Sequence, residues 1–125
     1  MTGGHHERAS DRYAEAMEVL EREKGWRYDI VVMVQGDEPM THPEMISEAI
    51  QPLIKDQTVL VSNLYGKIKS LIEFEDRNCI KLVFYQRSNA IYMSREPIPT
   101  RCKFEKISMH KQVCIIPFHR DFLLE

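Results

Sequence analysis

A chain of 125 residues leaves room for one domain with a modest core, and 43% hydrophobic with 29% charged residues is the balance of a soluble globular protein. The formal net charge of −2 provides no basic field for nucleic acid, and the clusters Arg101-Cys102-Lys103 and His119-Arg120 are too short to make one, so no nucleic-acid partner is expected. No apolar run approaches the roughly 18 residues of a membrane span, and Met1-Thr2-Gly3-Gly4-His5-His6 lacks the apolar core of a signal peptide. Cys79, Cys102 and Cys114 have neither CxxC nor Cys/His metal spacing, which points to reduced thiols, two of them acting as small hydrophobes in strands; together these features predict a cytoplasmic protein without a membrane partner.

In chain order, Ser10 is read as the N-cap of a helix whose apolar stripe is Tyr13, Ala16, Met17 and Leu20 and whose stop is Gly25. Adjacent His5 and His6 do not make a metal site, because neighbouring histidines cannot easily share one ion. Arg12, near the start of that helix, opposes the helix dipole, which favours a role with an anion; the alternative is a solvated surface arginine.

Ile30-Val31-Val32-Met33-Val34 is apolar without alternation and rich in β-branched residues, the pattern of a central parallel strand covered on both faces. It ends abruptly in Gln35-Gly36-Asp37-Glu38-Pro39. In open α/β sheets ligands bind at the carboxyl ends of such strands, and hard carboxylate oxygens there suit Mg²⁺ on a phosphate substrate. A solvated acidic turn is the competing reading.

Thr41-His42-Pro43 then caps a second helix with Met45, Ile46, Ala49, Ile50 and Leu53 on its apolar face, and Thr58-Val59-Leu60-Val61-Ser62 is a strand-like run. A strand, a helix and a strand in that order imply a parallel crossover and an α/β fold. Leu64 to Asp76 suggests one or two helical turns. Ile80 to Tyr85 and Ala90 to Ser94, joined by Gln86-Arg87-Ser88-Asn89, read as an antiparallel hairpin, so the sheet is expected to be mixed but mainly parallel. Lys81, inside an apolar strand, must reach water or pair with an anion: it is a substrate candidate or a snorkelling edge lysine. Ser94-Arg95, followed by Pro97 and Pro99, is placed to hold a carboxylate or phosphate. Lys111 to Phe118 reads as one strand ended by Pro117, and His119-Arg120 as the start of a last helix.

Val34-Gln35-Gly36-Asp37-Glu38-Pro39 resembles the VQGDEP signature of the 3-deoxy-manno-octulosonate cytidylyltransferase family. The resemblance continues through His6 and Ser10-Asp11-Arg12-Tyr13-Ala14-Glu15-Ala16 upstream, and through Asn78-Cys79-Ile80-Lys81-Leu82-Val83 and Tyr92-Met93-Ser94-Arg95-Glu96-Pro97-Ile98-Pro99 downstream. It implies a Rossmann-like nucleotide-diphospho-sugar transferase fold, here a truncated one, with residues 1–125 as a single partial domain. It also implies transfer of CMP from CTP to a sugar acid of the 3-deoxy-octulosonate type, with Mg²⁺ as cofactor and a homodimer whose subunits meet around Tyr92 to Pro99 and Val113 to Phe118.

Carried over residue by residue, the resemblance makes Asp37 the catalytic metal ligand and Gln35, Arg12, Lys81, Arg95, Gln112 and His6 substrate-binding positions. The chain departs from the family where Arg8-Ala9-Ser10 stands for Ser-Gly-Thr and where Gln112, Cys114 and Ile116 stand for a sugar-site histidine, a glycine and a tyrosine. Those changes bear on the identity of the sugar acid more than on the reaction type. The family's phosphate-cradling P-A-R-x-x-S-x-R loop and its second metal aspartate, in G-x-D-T-x-x-D-L, match nothing in the 125 residues. Negligible activity of this chain by itself is therefore expected, and a non-catalytic or oligomerising module of the same fold is the alternative.

Overall fold

The computed structural model of the chain describes residues 2–4, 6–36 and 39–125. Contacts gather in two compact units, one made of residues 1–64 and 114–125 and the other of residues 65–113.

The first unit begins with α1 (Ala9–Lys24). Its N-cap is Arg8 rather than Ser10, because the Asp11 carboxylate reaches back to accept the Arg8 amide at 3.3 Å and so fixes the first turn earlier. Gly25 ends the helix as expected, in the left-handed region at φ 73°, with its amide on the Glu21 carbonyl. Strand β1 (Ile30–Val34) follows, then α2 (Pro43–Lys55), capped by His42 with Pro43 in its first turn. Met45, Ile46, Ala49, Ile50 and Leu53 all lie on the buried or half-buried side of α2, and Leu53 is almost completely enclosed.

β1 pairs antiparallel with β6 (Ile115–His119), Val34 opposite Ile115 and Ile30 opposite His119. The other flank of β6 takes residues 60–64: Ser62 donates to Pro117 at 3.1 Å, Leu64 to Ile115 at 3.1 Å and His119 to Leu60 at 2.9 Å. The expected crossover is thus present in direction, since β1 and residues 60–64 both oppose β6 and therefore run parallel to each other, but β6 lies between them.

Two expectations are corrected here. Among the described residues β1 pairs on one side only, and Met33 alone of its residues is buried. An unbroken apolar run reports that its side chains avoid water, not how many neighbours the strand has. Pro117 does not end β6 but sits inside it, where its missing N–H faces residues 60–64. That lost donor explains why Thr58–Ser62 makes an isolated bridge at Val61 instead of a regular strand. A short helix, α4 (Arg120–Leu123), completes the unit, with Arg120 gripping Glu21 through Nε and Nη2 and with Glu21 also accepting the Tyr28 amide. The Arg120 guanidinium and that amide hold the Glu21 carboxyl down at about 2.

The second unit is a four-stranded antiparallel sheet in the order β2-β5-β3-β4, formed by β2 (Tyr65–Lys67), β3 (Lys81–Phe84), β4 (Ala90–Ser94) and β5 (His110–Gln112). The β3–β4 hairpin is as read from sequence, with Lys81 opposite Ser94 and Val83 opposite Tyr92. Lys111 to Phe118 is not one strand: β5 and β6 belong to different sheets, and Val113-Cys114 separates them. No pairing among the described residues is parallel, so the expected mainly parallel sheet is corrected while the α/β class holds. No disulfide joins the three cysteines, and none of them lies in a strand.

Between the strands, α3 (Leu71–Glu75) is capped by the Ser70 hydroxyl, which accepts the Glu73 amide at 3.1 Å. It drives Phe74 into a core with Ile68 and Met109, against which Cys79 and Phe104 pack. Burying an aromatic ring of this kind fully is worth about 3 kcal/mol, and it fixes where the α3 turn ends.

Candidate functional site

The sequence-derived candidates fall on both units, and each group has its own local construction. In the first unit they surround the carboxyl end of β1. The last carbonyl of that strand, on Val34, accepts the Tyr13 hydroxyl at 2.6 Å, and the next amide, on Gln35, donates to the Cys114 carbonyl at 3.2 Å. The strand end is therefore pinned from α1 on one hand and from the β5–β6 connection on the other. Gln35 is half-buried and Gly36 exposed; a side chain at Gly36 would meet nothing within 4 Å, so the glycine stands in open space. Asp37 and Glu38 lie outside the described residues.

Upstream, His6 is nearly enclosed and pairs through Nε2 with Glu15, whose carboxylate also accepts the Gly3 amide at 3.0 and 3.2 Å. His6 thus ties the segment before α1 to the helix. Arg12 is exposed in the first turns of α1 and makes no hydrogen bond or ion pair among the described residues, which leaves its whole guanidinium for an anion. Tyr13 was placed by its periodicity in the apolar stripe. Its hydroxyl role was invisible because the acceptor is a backbone carbonyl 21 positions away.

In the second unit Lys81 and Arg95 come together. Lys81 is fully buried, and Nζ donates to the carbonyls of Asp76 at 2.5 Å, Cys79 at 2.9 Å and Arg95 at 2.7 Å. It is neither a snorkelling edge lysine nor exposed to a ligand as placed here. Arg95 is exposed, with Nη1 donating to Arg77 at 2.9 Å and to Asn78 at 3.4 Å. Gln112 is half-buried in β5, opposite Tyr65, and its amide donates to the Ile80 carbonyl at 2.8 Å. Nearby on the same sheet Tyr65, Phe84 and His110 form a ring cluster with centroids 4.8 to 5.4 Å apart, and burial there pulls the His110 imidazole below its usual range.

Mg²⁺ was expected from the family resemblance. Among the described residues no group of three His, Cys, Asp or Glu side chains is arranged to hold a metal ion, so these residues by themselves do not build that site. No helix among them is long and apolar enough to cross a membrane.

In the first unit, an apolar strand that ends in Gln35 and Gly36, with an exposed arginine on the helix before it, suits a ligand at the strand's carboxyl end. The model of the family described as cytidylyltransferase matches residues 1–123, and the chain belongs to that family. It is 38% identical to the 3-deoxy-manno-octulosonate cytidylyltransferase of Pelobacter propionicus over 100% of its own length and 51% of the relative's. The enzyme of the same name from Geobacter metallireducens is 37% identical over 99% of this chain and 51% of its own. The fold is similar to that of a solved CMP:2-keto-3-deoxy-manno-octonic acid synthetase complexed with CTP. That likeness has a TM-score of 0.83 at 34% identity, covering 99% of this chain and 48% of the other. The chain thus has a nucleotide-sugar-transferase-like fold and spans about half the length of the relatives it matches.

Proposed function

We propose that this chain is the part of a cytidylyltransferase that carries the QGDEP-type strand end and the sugar-side arginine, and that it serves transfer of CMP from CTP to a 3-deoxy-octulosonate-type sugar acid. The observation supporting this most strongly is the likeness over nearly the whole chain to proteins of that one name. A hydroxyl of the sugar acid attacks the α-phosphorus of CTP, the bond to the β-phosphate bridging oxygen breaks, and pyrophosphate leaves with the displaced electron pair. Mg²⁺, when bound, would neutralise charge on the phosphates, with Asp37 as its ligand from this chain. Arg12, whose guanidinium has no partner among the described residues, and Gln35, on the pinned strand end, contact nucleotide or sugar; His6 keeps the segment before α1 in place; Gln112 and Arg95 take the sugar side.

A homodimer is part of the same reading. β4 pairs only with β3 among the described residues and leaves Ile91 and Tyr92 exposed, which supports a second copy meeting the Tyr92 to Pro99 region. A second reading is a non-catalytic module of the same fold.

The test joins this chain, in place of the matching half, to the remainder of the Pelobacter propionicus relative. The expected result is CTP-dependent release of pyrophosphate with 3-deoxy-manno-octulosonate from the folded chimera, and negligible release from the 125-residue chain alone. A folded chimera without turnover favours the non-catalytic module.

A further inference from the structure

The turn after α3 runs Asp76-Arg77-Asn78-Cys79, and side-chain cations take all four of its successive carbonyls: Lys81 those of Asp76 and Cys79, Arg95 those of Arg77 and Asn78. The third Lys81 contact is the carbonyl of Arg95 itself. An ammonium has three N–H donors and no acceptor, so Lys81 has spent all three on backbone oxygens and has none for a substrate. Arg95, in contrast, commits only Nη1; among the described residues Nε and Nη2 make no hydrogen bond, and the residue is exposed. The Nε–Nη2 edge is the one that receives a planar oxyanion through two parallel N–H bonds.

We infer that Lys81 is a positioning residue rather than a substrate ligand: it fastens the backbone of Arg95 to the 76–79 turn, so that the guanidinium, braced on the same turn, presents its free edge to an oxyanion. That oxyanion is the carboxylate of the sugar acid or a phosphate of CTP, and the identification of either rests on the proposed transfer reaction. The arrangement spares Arg95 the entropy of being ordered at binding, since both its main chain and one of its nitrogens are already fixed.

The experiment is side-chain nitrogen NMR on the ¹⁵N-labelled 125-residue chain, free and with millimolar 3-deoxy-manno-octulosonate or CTP added separately. Lys81 Nζ should give a slowly exchanging N–H signal in the free protein, unlike surface lysines, and should keep it when either compound is added. Arg95 Nε should shift with one of them; a shift with the octulosonate and none with CTP assigns the carboxylate, the converse the phosphate. In Lys81→Met the compound that shifts Arg95 Nε should bind about tenfold more weakly, which is roughly the loss of one net hydrogen bond to a charged group, and the Arg95 Nε signal of the free protein should move to the position of a mobile surface arginine. Leu82 and Val83 amides should keep their protection.

A Lys81 Nζ that exchanges like a surface lysine, or an Arg95 Nε signal unchanged by Lys81→Met, would overturn the inference. If neither compound shifts Arg95 Nε while Lys81 stays protected and Lys81→Met still frees the guanidinium, the positioning role stands and the proposed reaction loses its sugar-side contact. Should Lys81→Met not fold, Arg95→Lys decides. It keeps the Lys81 bond to the carbonyl at position 95, so Lys81 Nζ must remain protected while binding of the responding compound, read on the backbone amide signals of residues 94–96, is lost; loss of that protection, or unchanged binding, overturns the inference.

Discussion

The first turns of α1 and the start of β3 each carry a cation that the resemblance assigns to substrate, Arg12 and Lys81, and they treat it in opposite ways. Arg12 stands exposed and unpartnered among the described residues, whereas Lys81 is fully buried with every donor consumed by backbone carbonyls. A basic residue in a family motif is therefore not by that fact a ligand. What decides is whether its donors are already spent.

The sharpest way to break this contrast is to remove each cation and measure folding stability. Lys81→Met takes the ammonium donor from three carbonyls, of which that of Asp76 keeps the Cys79 amide, while relieving the desolvation of a charge, and should cost about 2–4 kcal/mol in urea unfolding. Arg12→Gln should stay within about 0.5 kcal/mol, as surface substitutions do. Equal effects at the two positions would erase the distinction.

Next in size is the pin on the strand end. Tyr13→Phe keeps the ring and loses only the bond to the Val34 carbonyl, so about 1 kcal/mol is expected, together with faster exchange of the Gln35 amide. Unchanged exchange at Gln35 would show that Cys114 alone holds the strand end.

The smallest effect is electrostatic and confined to the first unit. The Glu21 carboxyl is held at about 2, below its ordinary 4.5, by Arg120 and the Tyr28 amide. A depressed carboxyl contributes stability that is complete above the unfolded value and lost as pH falls through the folded one. Wild type should therefore exceed Glu21→Gln in urea midpoint at pH 6, and the gap should narrow between pH 4.5 and 2. A gap that widens toward acid would contradict the pairing.

Much of the scaffold was readable because it is local. Met45, Ile46, Ala49, Ile50 and Leu53 repeat with the helical period, Gly25 stops α1, and the polar residues 86–89 mark the β3–β4 hairpin. What escaped reading depends on partners far along the chain. Tyr65-Gly66-Lys67 has no apolar run, and becomes β2 only by pairing with β5. Residues 111–118 look like one strand, yet they pass from one sheet to another, and Pro117 is tolerated inside β6 because its missing donor faces the loosely paired residues 60–64. The spent donors of Lys81 and the hydroxyl bond of Tyr13 end on main-chain oxygens, which no side-chain pattern reveals. The acidic motif is the reverse case: its pattern singles out Asp37, which lies outside the described residues.

Asp37 is also where the proposed reaction is most exposed to experiment. In the chimera with the Pelobacter propionicus remainder, Asp37→Asn should lower CTP-dependent pyrophosphate release with 3-deoxy-manno-octulosonate by at least about a hundredfold, through loss of the metal-held charge on the phosphates. The urea midpoint should hardly move, because Asn matches Asp in size and the substitution removes only a charge. Turnover retained by a folded Asp37→Asn chimera would remove Asp37 from the metal site and contradict the proposed role of the β1 strand end.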